Sequence, residues 1–98
     1  MVIRPIQLPP RFESREPELR REWESNPGIL HRRWDEVRHG FRTGWEAGLA
    51  HGERDWDEIE PQLAACWSDH SVGGWHDHRD IVRLGYFRGQ RERTLFAA

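Results

Sequence analysis

The densest group of chemically reactive side chains lies in residues 69–80, where three His and three Asp fall within twelve residues. Imidazole and carboxylate groups are ligands for zinc, nickel, copper or iron. Since His76 and Asp80 are four residues apart, they can share one face of a helix. The candidate metal ligands are His70, His76 and His78. The alternative is a solvated turn in which Asp69 or Asp77 caps the following helix.

The other reactive residues do not suggest catalysis. Cys66, the one cysteine, stands in an apolar stretch with no base at a spacing that would activate it, so we expect it to fill a gap in the core. The glycines recur at regular helical spacing, unlike those of a phosphate-binding loop between a strand and a helix. We therefore predict a protein that is not an enzyme and that has no cofactor.

Two blocks of sequence recur in the same order along the chain. Residues 16–23 match residues 60–67 at Glu, Pro, Leu and Trp, at an offset of 44. Residues 37–44 match residues 82–89 at Val, Arg, both Gly and an aromatic, at an offset of 45. Such an internal repeat indicates a duplicated structural unit, here a short helix, a turn and a longer helix.

This pattern predicts an all-α fold of four helices, arranged as two tandem short-helix/long-helix units with pseudo-two-fold symmetry. Residues 1–12 carry three prolines and are predicted to form an extended N-terminal arm. Residues 13–98 then form one helical domain, with the first unit at about 13–52 and the second at about 53–98. A linker at residues 52–55 joins the two units.

Helix boundaries follow from the capping signals. Pro17 and Pro61 are predicted to mark the starts of the short helices, where a missing backbone N–H is tolerated. The long helices are predicted at about residues 29–51 and 75–96. We expect each helix to contribute its Trp to one shared core.

Glycines recur every fourth residue in both predicted long helices, although each interior Gly costs a helix up to about 1 kcal/mol relative to Ala. Close approach of another backbone or a flat ring would offset that cost. Either the two long helices cross within the monomer, or the row forms the groove of a homodimer. A membrane zipper is disfavoured because Arg42, Glu46 and Glu53 interrupt the apolar face. The predicted packing or interaction residues are Gly40, Gly44, Gly48, Gly85, Gly89, Trp23, Trp34, Trp45, Trp67, Phe41 and Tyr86.

The charge pattern restricts the choice of partner. The formal net charge is −2, so no global positive field attracts nucleic acid. The long helices nevertheless carry rows of Arg, and the short helices are acidic. We expect the acidic helices to lie along the basic ones, with binding of nucleic acid or an acidic protein by the Arg rows as the alternative. Without a leader or a 20-residue apolar span, we expect a cytoplasmic protein.

The repeated Val-Arg-x-Gly-aromatic blocks, the Trp-x-x-Ile-Glu segment at residues 56–60 and Trp67 resemble the pattern of a group of small, uncharacterised bacterial proteins rich in Trp and Tyr. Such proteins tend to be encoded near general stress-response genes. The resemblance therefore implies a stress-associated role without naming an activity.

Together these observations predict a non-enzymatic helical protein that acts through self-association or protein–protein interaction in bacterial stress response, with a homodimer as the expected partner. Two alternatives stay open. One is a metal-binding module that uses residues 69–80, and the other is an Arg-mediated binder of nucleic acid or an acidic protein.

Overall fold

The computed structural model describes residues 10–26, 32–67 and 74–97. These residues form the helices α1 (Phe12–Glu24), α2 (Trp34–His51), α3 (Trp56–Cys66) and α4 (Trp75–Ala97), with no strand among them. The predicted all-α fold of two short-helix/long-helix units is therefore confirmed. Residues 52–55 connect α2 to α3, as the sequence predicted.

The long helices α2 and α4 pack against each other through their glycines, which lie inside the monomer. A Cβ atom added at Gly44 would overlap the backbone carbonyl of Val82, and one added at Gly85 would overlap that of Phe41. Gly48 and Gly89 similarly meet the carbonyls of Tyr86 and Trp45. Since no side chain fits between the two backbones, these glycines cannot form a homodimer groove, and that alternative is wrong.

The same contacts relate the two units by an approximate two-fold correspondence. Gly44 of α2 contacts Val82 of α4, and Gly85 of α4 contacts Phe41 of α2 in the same way. Gly44 therefore corresponds to Gly85, and Phe41 corresponds to Val82. The sequence alignment instead matched Gly44 with Gly89, one helical turn away. The shift reflects a shorter spacing, in the second unit, between the Trp of the short helix and the first residue of the long helix. Trp23 and Trp34 are eleven residues apart, whereas their counterparts Trp67 and Trp75 are eight apart.

Two aromatic clusters, rather than one shared Trp core, flank the glycine contact. Phe12 at the start of α1 stacks on Trp34 with ring centroids 6.4 Å apart, and Trp56 at the start of α3 stacks on Trp75 at the same distance. Phe12 also contacts the edge of Trp45 at 5.7 Å, while Trp56 contacts Tyr86 at 5.6 Å. Each short helix is thus anchored by the ring at its first residue.

These anchors explain why the predicted starts of the short helices are wrong. Pro17 and Pro61 lie inside α1 and α3, one turn and a half beyond their first residues. An interior proline costs a helix roughly 3 kcal/mol. Fully burying a Phe side chain contributes about 1.5 to 3 kcal/mol, and the larger Trp ring contributes more, so ring burial offsets a cost of that order. Because Phe12 and Trp56 are almost fully buried, extending each helix past its proline is the favourable outcome.

Three further expectations need correction. α2 begins at Trp34, not near residue 29, because Arg33 has an extended backbone and the carbonyl of Arg32 accepts the Trp23 indole N–H at 2.8 Å. Phe12 belongs to the first helix and not to the arm. Cys66 is exposed at the end of α3 and fills no core gap.

The glycine contact generates a prediction with an internal control on the same helix. Gly44→Ala should lower the free energy of unfolding by about 2 kcal/mol or more, because the added methyl group must push the two backbones apart. Gly40→Ala should be neutral or stabilising by about 0.5 to 1 kcal/mol. Its Cβ would lie 3.4 Å from the Ile81 side chain, an ordinary contact. Urea unfolding of both variants checks this, and equal effects would contradict the close packing.

Candidate interaction surface

The outer face of α4 carries the large hydrophobic side chains that the described residues leave exposed. Leu84 is 36% exposed, Phe87 44% and Leu95 61%. Their spacing of three and then eight residues places all three within about one quarter of the helix circumference. We call Leu84, Phe87, Arg91 and Leu95 the α4 stripe. Although single exposed hydrophobic residues are ordinary, a stripe of them on one helix is a candidate contact surface.

Arginines surround the α4 stripe and differ in how they are held. The Arg83 guanidinium lies 5.3 Å from the centre of the Phe87 ring, a cation–π contact. Arg91 is exposed within the stripe. Arg88, beside it, donates to Glu22 on α1 at 3.0 and 3.1 Å and to Glu92 at 3.0 Å. The α4 stripe is therefore held at α1 by Arg88, and along its length Arg83 and Arg91 have no ion pair among the residues that the structure describes.

A small concavity adjoins the α4 stripe at that edge. Leu84 lines it together with Leu19, Trp23 and Phe41, and its volume is about 150 Å³. The walls are mostly apolar, with Glu22 and Arg88 at the rim. This space is large enough for a single side chain such as Leu or Met but far smaller than the 300–1,000 Å³ of usual ligand pockets. It fits a side chain presented by a protein better than a small molecule.

A carboxylate at the corresponding position of each short helix, Glu16 or Glu60, ties it to its long helix. Glu16 accepts the Trp34 indole N–H at 2.9 Å and two donors of the Arg38 guanidinium. Glu60 accepts both corresponding donors of Arg79. Hydrogen bonding from Arg38 is the largest cause that lowers the pKa of Glu16, opposed by partial burial and reinforced by Trp34. Hydrogen bonding from Arg79 likewise lowers the pKa of Glu60.

A second carboxylate, Glu92, joins α1 to α4 in the interior. It is 6% exposed, accepts from Arg88 at 3.0 Å and pairs with Arg15 at 2.6 Å. Two guanidinium groups compensate the charge of this buried carboxylate, whereas loss of both arginines would leave it uncompensated. These ion pairs, together with Arg88–Glu22, link α1 to α4.

These ion pairs confirm that acidic short helices lie along basic long ones. Five of the seven arginines of α2 and α4 are paired with carboxylates of this chain. They are Arg38, Arg42, Arg79, Arg88 and Arg93. The Arg rows are therefore largely neutralised by the protein itself, which reduces the positive potential that phosphates would meet.

The predicted metal ligands are only partly described. His70 lies outside the described residues. His76 is exposed in the first turn of α4, and the His78 ring contacts that of Trp67 at 5.2 Å. Within the described ranges, no group of three or more His, Cys, Asp or Glu side chains could hold a metal ion. Asp77 accepts the backbone N–H of Gly74 at 3.3 Å, a role in helix capping. The three-histidine site stays a prediction.

Sequence reasoning found the packing residues but missed the surface. Gly44, Gly48, Gly85 and Gly89 were identified from their spacing, and the structure brings them together between α2 and α4. Leu84, Phe87 and Leu95 were not identified as a set. Their i, i+3, i+11 spacing places them on one face of α4, at an angle from the face that packs in the core. The sequence reveals both faces, but only the packing shows which of them is exposed.

Comparison with known proteins provides no relative for this chain. No protein-family model, no curated protein and no solved structure matches it. None of the helices in the described part of the chain is long and apolar enough to cross a membrane.

The carboxylate ties predict acid sensitivity. Because the folded pKa values of Glu16 and Glu60 lie below the ordinary value of 4.5, their stabilisation is complete above that value and is lost as the pH falls through the folded pKa. The Glu16→Gln/Glu60→Gln variant should lose about 1 kcal/mol per site near neutral pH. It should then lose less stability than the parent on acidification.

Urea unfolding at about pH 7 and about pH 3 measures both effects. Glu36→Gln, at an exposed position on α2, is the control and should leave the acid dependence of the parent unchanged. If the double variant retains the full acid dependence, these two carboxylates are not the groups responsible.

Proposed function

We propose that this protein is non-enzymatic and acts by association, with a second copy of itself as the first partner and the α4 stripe as the contact surface. The observation that carries the proposal is the exposure of Leu84, Phe87 and Leu95 on one helix face. Because the glycine rows are filled within the monomer, the face of α4 that carries the exposed large hydrophobic side chains of the described residues is the surface we assign to a partner.

The charge pattern of the α4 stripe supports an antiparallel, two-fold arrangement. When two copies of α4 run antiparallel with Phe87 of one against Arg91 of the other, Leu84 lies near the second copy's Leu95. Arg83 then lies near the C-terminal end of the other helix, where the dipole favours a cation. Arg91 lies over an aromatic ring, an attractive contact. Each residue has a complementary partner, as a two-fold interface requires.

The α4 stripe is small, so the proposed association is reversible. Three hydrophobic side chains per copy fall well short of the 20 to 30 residues a side found in a standard interface. Such a contact suits a protein that exchanges self-association for binding to a different protein. An amphipathic helix with acidic flanks would satisfy the same hydrophobic residues together with Arg83 and Arg91.

We extend this proposal to a cytoplasmic role in bacterial stress response, supported by the resemblance to small Trp/Tyr-rich bacterial proteins. A deletion strain of the source bacterium should survive heat, osmotic or oxidative challenge less well than its parent. The same gene carrying Phe87→Asp should fail to restore survival, whereas the parental gene should restore it. Survival of the deletion strain equal to that of the parent under all three challenges would contradict the stress role.

The proposed self-association has a direct test. Sedimentation equilibrium over a range of concentrations should show masses rising from 11.7 kDa towards twice that value. Phe87→Asp should weaken the dimer at least about tenfold, because it removes the central aromatic contact and buries a charge.

Ala65→Asp is the matched control, since it adds the same charge at an exposed position on α3. Both variants should keep the parental stability to within about 0.5 kcal/mol, because both substitutions are exposed. A mass of one chain at every concentration, or equal weakening by both variants, would refute the α4 interface.

A further inference from the structure

The concavity beside the α4 stripe lies between three helices. Leu19 and Trp23 of α1, Phe41 of α2 and Leu84 of α4 line it, and its volume is about 150 Å³. Leu19 belongs to the hydrophobic core and is 1% exposed, whereas Leu84 is part of the stripe and is 36% exposed. The concavity therefore reaches from the stripe to the core, and a partner that docks on the stripe also meets it.

In the second unit, a ring from the opposite long helix packs at the corresponding place. The His39 ring on α2 lies 5.2 Å from the ring of Trp67, at the end of α3. The correspondence of the two units, given by their glycine contacts, pairs Trp67 with Trp23 and His39 with Asp80 on α4. Asp80 is exposed and has no ring. Trp23 therefore does not receive from the corresponding position of α4 the ring that Trp67 receives from α2.

The side of the α4 stripe that faces α1 carries Leu95 as well as the concavity. With about 100° of rotation per residue, Leu95 is turned about 20° and Arg88 about 40° from Leu84, both in the same sense. Arg88 donates to Glu22 of α1, so this sense points towards α1. Phe87 is turned about 60° in the opposite sense. Leu95 thus projects from the same side of the stripe on which the concavity lies.

A two-fold axis brings these two features of different copies together. In the antiparallel pair proposed above, the axis is perpendicular to both copies of α4 and lies in the plane between them, so the two copies of α1 are on the same side. Pairing Phe87 with Arg91 centres the contact at residue 89. Leu95 then lies opposite residue 83 of the other copy, about 1.5 Å along the helix from Leu84.

We propose that the concavity between Leu19, Trp23 and Leu84 is a socket for the Leu95 side chain of a second copy, so that each dimer contains two such contacts. This inference rests on the proposed self-association through the α4 stripe and identifies the residue that makes the contact specific. Leu95 is the most exposed large hydrophobic side chain among the described residues, at 61%. Pockets of this kind, filled by one side chain of the partner, contribute much of the free energy of binding at protein interfaces.

The charges at the rim of the socket favour an apolar occupant. Arg88 and Glu22 are paired with each other there, at 3.0 and 3.1 Å. An aliphatic side chain can enter between them without leaving a buried charge unpaired, whereas a charged side chain would have to disrupt the pair. The socket therefore matches Leu95 of the stripe better than the neighbouring Arg91.

NMR of the full-length protein tests the socket directly. Within one chain, eleven residues separate Leu84 from Leu95, about 16 Å along α4, which is too far for a nuclear Overhauser effect. At concentrations where the dimer forms, effects should connect the Leu95 methyl groups to the Trp23 ring. They should appear in filtered spectra of mixed labelled and unlabelled chains. A dimer without these effects would overturn the socket and leave the α4 interface standing.

Sedimentation equilibrium of full-length variants measures the energetic contribution. Leu95→Ala should weaken the dimer at least about tenfold, because two sockets lose their occupants. Leu84→Ala should also weaken it. The double variant should be weakened by less than the product of the two single effects, since both substitutions remove the same contact. Thr94→Ala, at the exposed position next to Leu95, is the matched control and should change the dissociation constant by no more than about twofold.

The outcomes separate this inference from the proposed function. Leu84 and Leu95 are exposed in the monomer, so their substitution leaves the fold intact. If Phe87→Asp weakens the dimer but Leu95→Ala does not, the α4 interface stands and the socket is overturned. Independent effects of Leu84→Ala and Leu95→Ala would likewise overturn it, because the two side chains would not meet. A mass of one chain at every concentration would overturn the interface and the socket together.

Discussion

Backbone-to-backbone contact between α2 and α4 is the constraint on which the rest of the structure depends. Four glycines remove the side chains that would hold these helices at the usual 8 to 10 Å separation. Their close approach brings carbonyl oxygens of one helix against Cα atoms of the other. Because a single Cβ would separate them, each glycine of the contact is fixed by geometry, and its unfavourable helix propensity is offset by packing along the whole helix pair.

The close contact also dictates where the aromatic rings must go. Two helices that touch at their backbones have no room for bulky residues between them, so the rings of Trp34, Trp45 and Tyr86 are displaced to the two flanks. Each flank is then an apolar surface that needs a cover, and the short helices provide it with Phe12 and Trp56. The carboxylates Glu16 and Glu60 determine where each short helix lies along its long helix. They add little to stability, since partly exposed ion pairs contribute little.

Much of this architecture could be predicted from the sequence. Glycines at every fourth residue required a close neighbour, and the recurring blocks indicated two helix pairs. The register between the two long helices could not be predicted. The sequence aligns Val37-Arg38-x-Gly40 with the identical residues of Val82-Arg83-x-Gly85, whereas in the packing Gly44 corresponds to Gly85. A shift of one turn keeps every residue on the same helix face, so periodicity alone cannot distinguish the two alignments.

The surface was harder to predict than the core for a related reason. Hydrophobic periodicity identifies an apolar stripe but not which of two stripes on a helix is covered. α4 has both, with Val82 and Tyr86 buried and Leu84 and Phe87 exposed. The starts of α1 and α3 were missed because the cue used was proline, a local signal, whereas the decisive contribution was the burial of Phe12 and Trp56 against residues far along the chain.

The two units agree at the glycines of the helix contact and at the carboxylate ties, and they differ on the outer faces of their long helices. Arg42 pairs with Glu46 on α2, whereas at the corresponding place on α4 Arg83 lies over Phe87. The position that Glu46 occupies in the first unit, where it pairs with Arg42, is thus occupied in the second unit by the exposed ring of Phe87. Packing requires the shared residues, since both helices face the same contact. It does not require Phe87 in water, where a charged residue like Glu46 would serve the fold equally well. The exposed Phe87 ring therefore supports the proposal that the interaction surface lies on α4 and not on α2.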